Sequence, residues 1–139
     1  MKKRFDVRIP GAEDEKNLAA AAVNVKEIAQ KDFDAEVVAS KVPVVLDFYA
    51  VESKACETLA PRYAAVAAKF AGRIRFLKIL RVANTQLAAD LNVTTSPTVV
   101  FFNAGEEQHE RLSGEDIKRT DLKARVEAML GASGTAQTT

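Results

Sequence analysis

Apolar and polar positions alternate between two periods along the middle of the chain. Val44-Val45-Leu46-Asp47-Phe48-Tyr49 is a short apolar run behind Pro43. It predicts a strand covered on both faces. Cys56, Leu59, Ala60, Tyr63, Ala64, Ala67 and Phe70 then recur at steps of three and four. That spacing places one apolar stripe on a helix, which Gly72 ends. Ile74 to Leu80 predicts a second strand and Asn84 to Leu91 a short helix buried through Leu87, Ala88 and Leu91. Thr98 to Phe102 predicts a third strand, Asn103-Ala104-Gly105 a hairpin turn, and Glu106 to Leu112 a more polar returning strand. Glu115 to Leu130 predicts a last helix that buries Leu122, Val126, Met129 and Leu130. Ahead of these, Val23 to Ile28 fits a first strand and Asp32 to Ala39 a helix carrying Phe33 and Val37.

The order β-α-β-α-β-α-β-β-α implies parallel strands joined by crossover helices, with an antiparallel hairpin at one edge. The expected class is α/β, a central mixed sheet flanked by helices on both faces. Three zones follow from the pattern. Residues 1–22 form a mixed N-terminal extension and residues 23–130 the patterned domain. Residues 131–139 are Gly, Ala, Ser, Thr and Gln with no large apolar side chain. They cannot offset their own ordering entropy and are expected to be disordered.

Composition narrows the function. The chain has 139 residues, enough for one domain with a self-sufficient core. Its 20 basic and 19 acidic residues leave a formal charge of +1. No broad basic field exists to hold nucleic acid or an anionic membrane. The apolar stretch Leu18 to Val23 is too short for a bilayer, which needs ~20 residues. Nucleic acid and membrane are therefore not expected partners, and the expected location is the cytoplasm. A single cysteine excludes an intramolecular disulfide and a four-cysteine zinc site. No G-x-G-x-x-G, Walker or metal-spaced His/Cys pattern occurs, so no cofactor and no metal are expected.

Two stretches carry a resemblance. Val45-Leu46-Asp47-Phe48-Tyr49-Ala50-Val51-Glu52-Ser53-Lys54-Ala55-Cys56-Glu57-Thr58-Leu59-Ala60-Pro61 resembles the thioredoxin family. That family has a strand ending in D-F-[WY]-A, then W-C-G-P-C, then a helix with A-P five residues on. Asn92-Val93-Thr94-Thr95-Ser96-Pro97-Thr98-Val99-Val100-Phe101-Phe102 resembles its cis-proline loop entering a strand. Asn103-Ala104-Gly105-Glu106 is similar to its hairpin, and Gly114 to its loop before the last helix. The resemblance covers about Val23 to Leu130 and implies the thioredoxin fold. It also implies a role for Asp47, with Lys78 beside it, in proton transfer at the second cysteine. It implies a groove for an extended protein or peptide client, formed by Val51, Glu52, Lys54, Ala55, Thr95, Ser96, Pro97 and Gly114.

The departure falls on the reacting atoms. Ser53-Lys54-Ala55-Cys56 stands where the family has Cys-Gly-Pro-Cys, and Glu52 where it has tryptophan. The attacking cysteine is Ser53, and only the resolving cysteine survives, as Cys56. Exchange requires a thiolate attacking a disulfide sulfur. A serine hydroxyl is not ionised and forms no disulfide. Replacing one cysteine alone would have left the tryptophan, glycine and proline in place. Here those are absent too.

Each residue has a plainer reading. Ser53 is expected to be an N-cap. A Ser53–Lys54 dyad is disfavoured, because neighbours at a helix start do not face each other. Cys56 can be a small buried apolar residue. Its neighbours Glu52 and Glu57 are acidic, which predicts a sluggish thiol. His109, the one histidine, is expected on the hairpin, away from Cys56. Asp47 interrupts an apolar strand and must be paired or protonated if buried. Two functions follow. The first is a thioredoxin-like, monomeric protein that binds extended partner segments in a redox-homeostasis or chaperone/adaptor role without dithiol turnover. The second is a monothiol oxidoreductase or redox sensor acting through Cys56.

Overall fold

The structure is a computed structural model that describes residues 24–138, with side chains as far as Gly131. The extension, residues 1–22, lies outside the described residues. Six strands form one sheet in the order β1-β3-β2-β4-β5, with β6 also paired to β4. The strands are β1 (Val25–Glu27), β2 (Val44–Tyr49), β3 (Arg75–Leu80), β4 (Thr98–Asn103), β5 (Glu106–Glu107) and β6 (Leu112–Ser113). β1, β2 and β3 run parallel, and β4 pairs antiparallel with β2, β5 and β6. The helices are α1 (Lys54–Lys69), α2 (Thr85–Asp90) and α3 (Arg119–Thr138).

The apolar runs are continuous because both sheet faces are covered. Val45, Phe76, Val99 and Phe101 pack on one face with Leu59, Tyr63 and Val66 of α1 and Leu122, Val126 and Met129 of α3. Leu46, Phe48, Leu77, Ile79, Val100 and Phe102 pack on the other with Val37, Leu87, Ala88 and Val93. Period-two alternation then decides where Asp47 goes. It shares the α1 face with Val45, while its neighbours Leu46 and Phe48 are buried on the opposite face. Lys78 shares that face with Phe76.

Three expected elements differ. The helix expected over 32–39 is a 3-10 turn, Gln30–Asp32, followed by a π turn, Asp34–Val38. Two anchors hold it in place of a regular stripe: Val37 is fully buried, and the Phe33 ring meets Phe102 edge-on at 5.6 Å. The strand expected over 106–112 breaks into β5 and β6. His109 between them has φ 64°, a left-handed conformation that interrupts regular strand pairing. Arg111 ties the bulge down, donating to Glu107 at 2.7 and 2.9 Å and to the Leu91 carbonyl at 2.6 Å.

The last helix begins at Arg119, four residues beyond Glu115, and its backbone continues to Thr138. The continuation runs into the segment 131–139 expected to be disordered. A helix already nucleated on the core gains a hydrogen bond for each residue added.

Candidate functional site

The register brings three loops to one end of the sheet. Phe48 is paired with Thr98, and Thr98 with Ser113. The turn after β2 (residues 50–53), the Ser96–Pro97 step before β4, and Gly114 after β6 therefore lie together. The Ser96–Pro97 peptide is cis. Arg81, just past β3, donates from Nε to Ser96 Oγ at 2.9 Å, and Thr98 Oγ1 donates to the Thr95 carbonyl at 2.9 Å. Gly114 has φ +106°, which a side chain would strain. The sequence-predicted client residues Val51, Glu52, Lys54, Ala55, Thr95, Ser96, Pro97 and Gly114 all fall on these loops or the first turn of α1.

Ser53 caps α1. Its Oγ accepts the Cys56 N–H at 3.2 Å, and its extended backbone (φ −117°, ψ 119°) feeds the helix. That satisfies one of the four orphan N–H groups of the helix start. Glu52 before it takes φ 55° to make the turn. Cys56 sits in the first helical turn and is 8 % exposed. Its Sγ accepts the Ala50 N–H at 3.4 Å. Its hydrogen bonds go to Ser53 and Ala50, and none goes to His109.

Asp47 lies below Cys56 and is 6 % exposed. Burial pushes its carboxyl up to about 7 from an ordinary 3.8, and the attraction of Lys78 offsets only part of this. Asp47 and Lys78 are register partners across β2 and β3. They do not close an ion pair, and Asp47 Oδ1 has no hydrogen-bond partner among the described residues. Lys78 Nζ sits instead over the Tyr49 ring, 5.3 Å from its centre. The Tyr49 hydroxyl in turn donates to the Glu27 carboxylate. Tyr63 of α1 shares its buried hydroxyl proton between the Leu77 and Val45 carbonyls at 2.6 and 3.0 Å. Burial, and then the Asp47 charge, hold the Tyr63 phenol well above its usual range. Asp47, Lys78, Cys56, Tyr49 and Tyr63 line one cavity of about 340 Å³ beneath the turn.

The arrangement thus joins Cys56, Asp47 and Lys78, as the sequence predicts. It places Ser53 at the helix cap with an oxygen where an exchange reaction needs a sulfur. Sequence reasoning missed Tyr49, Tyr63 and Glu27 around Asp47. It also missed Val82, 59 % exposed in the turn after β3 and, with Val51 at 64 %, an apolar side chain left in solvent. Its signal was an apolar residue following Arg81 beyond a completed strand. Among the described residues, no helix is long and apolar enough to cross a membrane.

A mixed sheet with this order, a helix starting at a capped turn and a cis-proline loop beside it define a thioredoxin-fold domain carrying one thiol. The Thioredoxin family model matches residues 24–128, and the chain belongs to the thioredoxin family of disulfide oxidoreductases. It is 29 % identical over 111 residues to thioredoxin M4 of the Arabidopsis thaliana chloroplast, covering 80 % of this chain and 56 % of the relative. It is 30 % identical over 80 residues to thioredoxin 1 of Nostoc sp., covering 58 % of this chain and 75 % of that protein. The fold is similar to a mutant thioredoxin from Halobacterium salinarum, with a TM-score of 0.67 and 26 % identity. That match covers 76 % of this chain and 90 % of the other. The chain therefore spans little more than half the length of its chloroplast relative.

Proposed function

We propose that this protein binds an extended segment of a partner protein, in a redox-homeostasis or chaperone/adaptor role, without dithiol turnover. One observation carries the reading. The oxygen of Ser53 occupies the helix-cap position, hydrogen-bonded to Cys56 N, and leaves the buried Cys56 sulfur with no second thiol. Support for binding comes from the loops around it. The Ser96–Pro97 step offers main-chain groups for strand addition, and Val51 and Val82 offer apolar contact.

The test is selection from a displayed library of random peptides on the wild type and on Val51→Asp. The wild type is expected to enrich peptides with apolar residues at alternate positions. Val51→Asp is expected to weaken the best of them roughly tenfold, because it puts a charge where an apolar contact was. Equal binding to the two proteins would remove these loops from the binding surface.

The second reading is a monothiol oxidoreductase or sensor. It draws support from Cys56 lining the 340 Å³ cavity, through which a small oxidant would reach the sulfur. The resulting sulfenic acid would need an external thiol to resolve it.

A further inference from the structure

The cavity beneath the turn has a chemistry that client binding does not use. Val25, Ala60 and Tyr63 supply apolar wall, and Asp47, Glu52, Glu57 and Lys78 supply charge. Its volume of about 340 Å³ is at the small end of the range for organic ligands. Of the groove residues, Val51 and Glu52 line its mouth, and Thr95, Ser96, Pro97 and Gly114 do not line it.

We propose that this cavity binds a small organic amine, its apolar body against Val25, Ala60 and Tyr63 and its ammonium group against the Asp47 carboxyl group.

The sign of the ligand follows from the walls. Three carboxyl groups face one ammonium, and that ammonium, Lys78, is held over the Tyr49 ring. The Tyr49 hydroxyl is already given to Glu27, so it does not donate to Asp47. The Tyr63 hydroxyl is given to two carbonyls and is equally committed. Asp47 is left as a buried carboxyl with Oδ1 shut off from water and without a partner among the described residues. A buried carboxylate short of donors is costly, and an ammonium against the part of Asp47 that lines the cavity lowers that cost. An anion would meet Asp47, Glu52 and Glu57 with Lys78 as its one attraction. The site needs neither a second cysteine nor thiol chemistry at Cys56, and it shares only Val51 and Glu52 with the client groove, so Asp47→Asn separates the two.

The experiment is a titration of the full chain with benzylamine at pH 8, followed by amide nitrogen–proton NMR, with benzoate as the anionic counterpart. Benzylamine is expected to shift the Ala50, Cys56 and Lys78 amides saturably, and benzoate is expected to leave them in place. Asp47→Asn is expected to weaken benzylamine roughly tenfold or more, the loss of a hydrogen bond to a charged group. Glu52→Gln with Glu57→Gln, both at exposed positions, is expected to weaken it about threefold. The proposal is overturned if benzoate binds as tightly as benzylamine, if neither gives a saturable shift, or if neither variant weakens the amine.

Discussion

Ser53→Cys is expected to turn this domain into a dithiol enzyme. Residue 53 precedes α1 and residue 56 lies in its first turn, with Ser53 Oγ 3.2 Å from Cys56 N. A sulfur at residue 53 would meet the positive end of a 16-residue helix, where a thiolate is favoured. Oxidised glutathione should then take two electrons and two protons from the pair and leave an intramolecular disulfide. The substitution removes a serine cap, a loss of about 1 kcal/mol that a domain of this size tolerates. In an insulin-reduction assay with dithiothreitol, the wild type should give no turnover above the reagent alone. The variant should exceed that background roughly tenfold or more. Turnover by the wild type comparable to the variant would mean that Ser53 does not prevent disulfide reduction.

The second large effect is on stability against pH. The Asp47 carboxyl is raised from 3.8 to about 7 by burial. Between those values the folded chain holds a proton that the unfolded chain has released. The unfolded state therefore binds fewer protons, and stability falls as pH rises through this window. About three pH units at 1.36 kcal/mol each amount to about 4 kcal/mol. Asp47→Asn keeps the shape and cannot ionise. Chemical denaturation of both proteins should give nearly equal stability at pH 4, with the variant ahead by about 4 kcal/mol at pH 8. A constant difference across that range would mean that Asp47 is not held protonated by its burial.

Much of the fold was legible in the sequence because both sheet faces are covered. The runs at 44–49, 75–80 and 98–103 are mostly apolar, and a buried stripe runs along α1 from Cys56 to Ala67 and on to its cap Phe70. The stretch 30–38 was not legible. Phe33 and Val37 are four apart, as on a helix, but their burial is set by Phe102 and the sheet, which no local pattern encodes. The break between β5 and β6 was equally hidden. Gln108 to Arg111 is polar throughout, and the bonds that pin Arg111 join it to Leu91 and Asn92, about twenty residues away.

The candidate site divides in the same way. The helix cap at Ser53 and the burial of Cys56 follow from residue type and spacing. The neighbourhood of Asp47 and Lys78 follows from the family resemblance. The electrostatics do not follow from either. Lys78 is turned to the Tyr49 ring, because Tyr49 and Glu27 are themselves paired at the edge of the sheet. Asp47 is then left to adjust by holding its proton, and only the three-dimensional packing of β1 beside β3 makes that visible.

Binding without thiol chemistry is tested most directly by the rate at which iodoacetamide modifies Cys56 at pH 7.5, in the native chain and in the chain unfolded in urea. With Cys56 8 % exposed and its sulfur held by the Ala50 N–H, the native rate should be at least roughly tenfold below the unfolded rate. A native rate equal to or above the unfolded one would contradict this and make Cys56 the centre of a monothiol mechanism.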